Sequence, residues 1–155
     1  MGNSGTNETK RTISVSLYLR GDQLDPNLVS EALGRAPDRS QRKGERQAGV
    51  HGREYIRKIG VWAIKSDPDF ESNKDFRSDS VSDHVDSLLS KINFSRENLS
   101  IINDLEEVYI DIFVAMDEEK DGGGTCDFEL SASQVEGLSK LGAPIRFTIA
   151  VIADK

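Results

Sequence analysis

An α+β domain is what this sequence predicts: a mainly antiparallel five-stranded sheet with three main helices packed on one face, in the order βαβ-α-β-βαβ. Three observations point there. Several segments alternate apolar and polar residues, as half-buried strands do. Between them lie stretches with apolar residues at helical spacing, bounded by capping residues and glycines. Strands and helices interleave along the chain, with one tight reversal expected at 117–124.

Residues 12–20 place Ile13, Val15, Leu17 and Leu19 on one face and Ser14, Ser16 and Tyr18 on the other. Gly21 and Asp22 turn the chain, and Asp25 caps a helix with Pro26 at its first position. That helix carries Leu28, Val29, Ala32 and Leu33, ends at Gly34, and is prevented from resuming by Pro37. After a long connection at 35–58, Ile59 to Ser66 reads as a strand containing Val61, Trp62 and Ile64. A polar loop at 67–78 precedes the clearest helix, where Val81, His84, Val85, Leu88, Leu89 and Ile92 form one stripe, with Ser80 and Asp83 at its start. Ser95 begins a short second helix with Leu99 and Ile102. Residues 107–116 alternate Val108, Ile110, Ile112, Val114 and Met116 with Tyr109, Asp111, Phe113 and Ala115. The expected hairpin partner is Thr125 to Leu130, with Cys126, Phe128 and Leu130 on one face. Ser131 and Gln134 form a capping box for a helix carrying Val135, Leu138 and Leu141, and Ile145, Phe147, Ile149 and Val151 mark the last strand. Residues 17–37 and 126–144 echo each other as strand, capped helix, Leu-Gly and proline.

Residues 1–11 are polar and read as a mobile N-terminal tail, and residues 12–155 as a single domain with a basic loop at 35–58. The chain has 155 residues and a formal net charge of −7. The loop holds eight basic and three acidic side chains, a local +5, so the remainder carries −12. Net acidity argues against direct nucleic-acid binding, which needs clustered Lys and Arg. Cys126 is the single cysteine, so no intramolecular disulfide framework or Cys-rich zinc site is expected. No apolar run is long enough to span a bilayer, and MGNSGTNETKR lacks the apolar core of a secretory signal. The expected compartment is the cytoplasm, with no membrane partner.

The strand followed by Asp25-Pro26, Leu33-Gly34, Pro37, Lys43-Gly44 and a later Trp62 resembles the bacterial domain-of-unknown-function 4279 family. The resemblance extends over most of residues 12–153, with its specific part at 13–66. The family has no established catalytic residues, so none carry over. Domains similar to it accompany polymorphic toxin systems, in which a small cytoplasmic immunity protein neutralises the neighbouring toxin domain. The resemblance therefore implies a non-enzymatic inhibitor whose partner is a cognate toxin.

Read for chemistry, the residues favour no catalytic centre and no metal or cofactor site. His84 on an apolar stripe reads as a hydrogen-bonded core or boundary residue, His51 lies in the basic loop, and Cys126 reads as a small core residue. Asp117, Glu118, Glu119 and Asp121 lack the ligand order of a calcium loop. Walker, dinucleotide and nucleophile-elbow motifs are absent from the sequence. Many nuclease toxins present basic clefts, which an acidic partner matches by phosphate mimicry. The candidate toxin contacts are therefore Asp79, Asp83, Asp86, Asp104, Glu106 and Glu107. The alternative is a small enzyme or anion-binding module that holds a phosphate through Arg39, Arg42 and Lys43.

Overall fold

A computed structural model describes residues 11–67 and 80–153. Asp79 and most of the expected tail and 67–78 loop lie outside those residues.

The centre of the molecule is β1 (Arg11–Gly21), paired antiparallel with β5 (Gly60–Lys65) on one edge and with β6 (Glu107–Asp117) on the other. Leu17 stands opposite both Ile64 and Ile110, Val15 opposite Ile112, and Ile13 opposite Val114. These side chains form one continuous apolar surface, with each of them almost wholly buried. Outside this trio lie β2 (Arg39–Gln41) beside β5 and β7 (Ile145–Ile152) beside β6, giving the order β2-β5-β1-β6-β7.

The helices all contribute to the apolar side. In α1 (Pro26–Leu33), Asp25 accepts the Asn27 amide at 2.9 Å, and Gly34 closes the helix in the left-handed region at φ 66°. Its Val29 and Leu33 enter the core, and Ser30 accepts the indole N–H of fully buried Trp62 at 3.0 Å. Helix α2 (Ser80–Lys91) lays Val81, Val85 and Leu88 against the sheet. Helix α3 (Arg96–Ser100) contributes Leu99, and α4 (Ala132–Ser139) contributes Leu138. The capping box of α4 forms as expected, and its Gln134 also reaches α2, donating to Ser82 and to Asp86 at 2.9 Å. One buried amide thus caps its own helix and ties it to a second.

The sheet is mixed, three of its four pairings being antiparallel and one parallel, and the expected order βαβ-α-β-βαβ is corrected at three points. Residues 125–130 form no strand; β6 pairs instead with β7, in parallel. A strand edge accepts one neighbour, and β7 brings Ile145, Phe147, Ile149 and Val151 opposite Ile110, Ile112, Val114 and Met116. The glycine-rich loop makes a local turn, in which Glu119 donates to Gly123, and the chain then crosses the core side. There Cys126, Phe128 and Leu130 pack onto the core, so their alternation reports burial without a ladder. The fifth strand is β2, inside the segment expected to be a plain connection. That segment also holds a separate hairpin of β3 (Arg46–Ala48) and β4 (Glu54–Ile56), and among the described residues the α-helices number four with α3.

The loop before β6 docks closely on the end of β1. An alanine Cβ at Gly21 would lie 2.0 Å from the Asp104 carbonyl oxygen, whereas one at Gly34 meets open space and only an unfavourable φ. Gly21→Ala is therefore expected to destabilise the fold by about 1–3 kcal/mol through forced displacement of that loop, and Gly34→Ala by about 1 kcal/mol through backbone strain. Urea unfolding of both variants measures the difference. A Gly21→Ala loss no larger than that of Gly34→Ala would show that the Asp104 loop yields freely.

Candidate functional site

The second set of alternating residues in β1 and β6 lies on the sheet face opposite the helices. Successive rows across the strands are Lys65, Ser16, Asp111 and Arg146; then Arg39, Ala63, Tyr18 and Tyr109; then Gln41, Val61, Arg20 and Glu107. All four helices belong to the other side, so among the described residues no helix packs over these rows. Ala63, Ser16, Val61 and Gln41 are buried on this face, while Tyr18 and Tyr109 are half-buried.

This face is internally organised. The rings of Tyr18 and Tyr109 stack with centroids 5.1 Å apart and planes 24° from parallel. Arg146 leans back along β6, its guanidinium carbon 3.8 Å from the Tyr109 ring centroid, and pairs with Glu107. Arg20 approaches the other Glu107 oxygen at 3.5 Å, and Thr148 donates to Asp111 at 2.8 Å. Such half-exposed ion pairs add little stability. Their consequence is that one carboxylate held by two guanidiniums, one of them also on an aromatic ring, fixes long side chains that would otherwise be mobile.

The acidic candidates divide between two places. Asp83 is exposed on α2, and Asp86 accepts from Gln134 at the α2–α4 contact. The Asp104 carbonyl abuts Gly21, the Glu106 amide donates to Arg20 O at 2.9 Å, and Glu107 joins the sheet face. Asp104, Glu106 and Glu107 thus gather at the end of β1. Helix α2 instead meets the sheet near Val15 and Ser66, toward the other end of that strand. The basic candidates also separate. Arg42 pairs with Asp25 at 2.7 Å and Lys43 with Asp22 at 2.9 Å, so both are drawn onto the start of α1. The Lys43 hydrogen bond, with Gln23 adding to it, holds the Asp22 carboxyl below its ordinary 3.8. Arg39 stands exposed at the edge of the Tyr18 row and makes no ion pair among the described residues.

A second polar cluster lies where α2 meets the ends of β1 and β5. Ser66 Oγ accepts the Val15 amide at 3.1 Å and lies 2.6 Å from His84 Nδ1, both side chains being buried. With one side of the hydroxyl taken by an amide and the other by the imidazole, this pair joins three elements, as the position of His84 on an apolar stripe implied. Lys91, 16% exposed, bonds to the Lys65 carbonyl at 2.6 Å and to Asp67 at 2.8 Å, with Asp38 at 3.8 Å. Together with Ile13 and Ser14 these groups line a cavity of about 290 Å³. Among the described residues no group of three or more His, Cys, Asp or Glu side chains is placed to hold a metal ion.

Sequence reasoning found Glu107 and Arg39 but missed Tyr18, Tyr109, Arg20 and Arg146. The alternation placed Tyr18 and Tyr109 each opposite the apolar set of its own strand. What was not visible was that β1 and β6 are neighbours, with Tyr18 directly opposite Tyr109.

Taken together, these features define a two-layer α+β domain, with helices on one side of a mixed sheet and an ordered Tyr–Arg surface on the other. The chain belongs to the family described as domain of unknown function DUF4279, whose model matches residues 9–151. No curated protein and no solved structure matches it. No helix of the described residues is long and apolar enough to cross a membrane.

The Lys91–Asp67 pair has a pH signature. Lys91 holds the Asp67 carboxyl below its ordinary 3.8, against a smaller opposing effect of desolvation. A depressed carboxyl contributes stability that is present above its unfolded value and lost as pH falls through the folded one. Asp67→Asn should therefore lower the melting temperature at pH 7, and the gap to wild type should close on acidification through the carboxylate range. A gap unchanged by acid would show that Lys91 does not interact with the ionised carboxylate.

Proposed function

We propose that this chain is a non-enzymatic, cytoplasmic protein-binding module, an immunity protein that neutralises a cognate toxin domain by covering its active site, and that it binds through the open sheet face. The observation that carries this reading is the stacked Tyr18–Tyr109 pair, flanked by Arg146 and Arg20, on a face that no helix of the described residues covers. Tyrosine and arginine dominate binding energy at protein interfaces because each covers large area with a polar tip. Here the two arginines are already held by Glu107 and the two tyrosine rings by their stacking, which reduces the ordering cost of association. Asp104 and Glu106, exposed in the loop that docks on the end of β1 beside Glu107, would steer a basic nuclease cleft toward the domain. Asp83 and Asp86, toward the other end of the sheet, add only to the long-range field.

The alternative, an anion-binding module or small enzyme using Arg39, Arg42 and Lys43, is less favoured. Arg42 and Lys43 already satisfy carboxylates at the start of α1, which leaves Arg39 as its one uncommitted cation.

Affinity capture from the native host with mass spectrometry identifies the partner, and stopped-flow kinetics then separates the readings. Tyr18→Ala with Tyr109→Ala should weaken binding by about 30-fold or more, chiefly through faster dissociation. Asp104→Lys with Glu106→Lys should slow association several-fold at low salt and less at high salt. Arg42→Glu with Lys43→Glu should leave the affinity nearly unchanged. If only that last variant loses binding while its circular dichroism remains native, the sheet-face reading is wrong and the anion reading replaces it.

A further inference from the structure

The two edges of the sheet are treated differently. On one side β2 is three residues long, Arg39–Gln41, and carries an exposed arginine, the kind of short, charged edge that discourages pairing. On the other side β7 runs for eight residues, Ile145–Ile152, with Arg146 as its single charge. No proline or bulge interrupts its pairing with β6. Phe147, Ile149, Val151 and Ile152 are 45–56% exposed. Phe128 stacks on Phe147 with ring centroids 6.0 Å apart, but the strip beyond it is uncovered among the described residues.

Which backbone groups are free follows from two hydrogen bonds. Ile110 donates to the Pro144 carbonyl, and Glu118 donates to the Ile152 carbonyl. In an evenly spaced parallel ladder the intervening carbonyls that face β6 belong to Arg146, Thr148 and Ala150. The N–H and C=O groups of Ile145, Phe147, Ile149 and Val151 therefore point out from the sheet edge. These four residues also carry the apolar side chains, so any occupant of the edge must be an extended strand with apolar residues in the matching register.

We propose that β7 pairs antiparallel with β7 of a second copy of this chain, about a two-fold axis at Thr148, to make one continuous sheet across a dimer. The strand is self-complementary in that register. Ile145 meets Val151 of the second copy, and Phe147 meets its Ile149, aromatic and β-branched pairs that suit a sheet. Each of these is a hydrogen-bonded pair, so the outward N–H and C=O groups of all four residues find partners. Arg146 faces Ala150 of the second copy and never its own equivalent, so the acidic chains bring no like charges into the seam. Thr148 meets Thr148 as a non-hydrogen-bonded pair, with the closer Cα spacing. The pairing leaves Tyr18 and Tyr109 accessible and does not depend on the toxin-binding reading.

Sedimentation velocity of the purified full-length chain from about 1 to about 200 μM is the first test, with a concentration-dependent monomer–dimer equilibrium expected. Ile149→Lys places a charge on the edge, and Ile149→Pro removes one outward N–H without touching the β6–β7 ladder. Both should sediment as monomers. Register is tested in a Cys126→Ala background. Thr148→Cys should form a disulfide-linked dimer on oxidation, because directly opposed residues of a non-hydrogen-bonded pair lie within disulfide reach. Ala150→Cys, four strand positions from its own copy, should not. A wild-type chain that stays monomeric throughout overturns the proposal, including the case where the edge takes up a strand only from another protein. So does a dimer that survives Ile149→Lys, or one that cross-links equally through Ala150→Cys. The lysine and cysteine variants keep the test decisive if Ile149→Pro does not fold.

Discussion

Everything in this molecule depends on β1 being flanked on both edges and, among the described residues, packed by helices on one face. A central strand has no free ladder groups to negotiate, so its side-chain alternation decides the chemistry of both sheet surfaces. Ile13, Val15, Leu17 and Leu19 recruit four helices, whose apolar stripes have nowhere else to go. The remaining residues, Ser16, Tyr18 and Arg20, then lie on a surface that must satisfy its own polar groups, and it does so with residues of β6 and β7. The division between a dry layer and an organised polar layer follows from this one strand's period.

How far the sequence revealed this can be traced element by element. The half-buried strands β1 and β6 and the helices α1, α2 and α4 were legible because periodicity, caps and stop residues agreed locally: Asp25 with Pro26, Ser131 with Gln134, and Gly34 before Pro37. The order of strands across the sheet was not legible, because pairing is settled by competition between distant segments. Residues 125–130 and 145–152 both alternate, and the choice between them rests on how well each matches β6. Strand β2 escaped notice because three residues carry no periodic signal. The candidate surface was half legible. Glu107 and Arg39 were selected for their charge, but a tyrosine in an alternating strand looks the same whether its face is covered or open.

The charged groups illustrate why composition alone misleads about surfaces. The connection at 35–58 is basic in sequence and the remainder acidic, yet the fold brings the two together instead of presenting them separately. Arg42 and Lys43 fold back onto Asp25 and Asp22, and Arg35 donates to the Lys91 carbonyl at the end of α2. Lys91 is drawn in turn between Asp67 and Asp38. Much of the positive excess is thus spent fastening the connection to the domain, and the sequence-level contrast of +5 against −12 overstates the field that another molecule would meet.

The β3–β4 hairpin is a different kind of element. Its strand residues are exposed, and it is held at its base by main-chain bonds of Gly44 to Arg57 and of Arg57 to Glu45. At its far end His51 and Gly52 both adopt positive φ, at 64° and 73°. No side chain of this tip enters the core, so the domain's cohesion is indifferent to what the tip carries. It forms a natural insertion point, where an epitope, a fluorophore-binding peptide or a longer family-specific loop could be accommodated without disturbing either layer of the sheet.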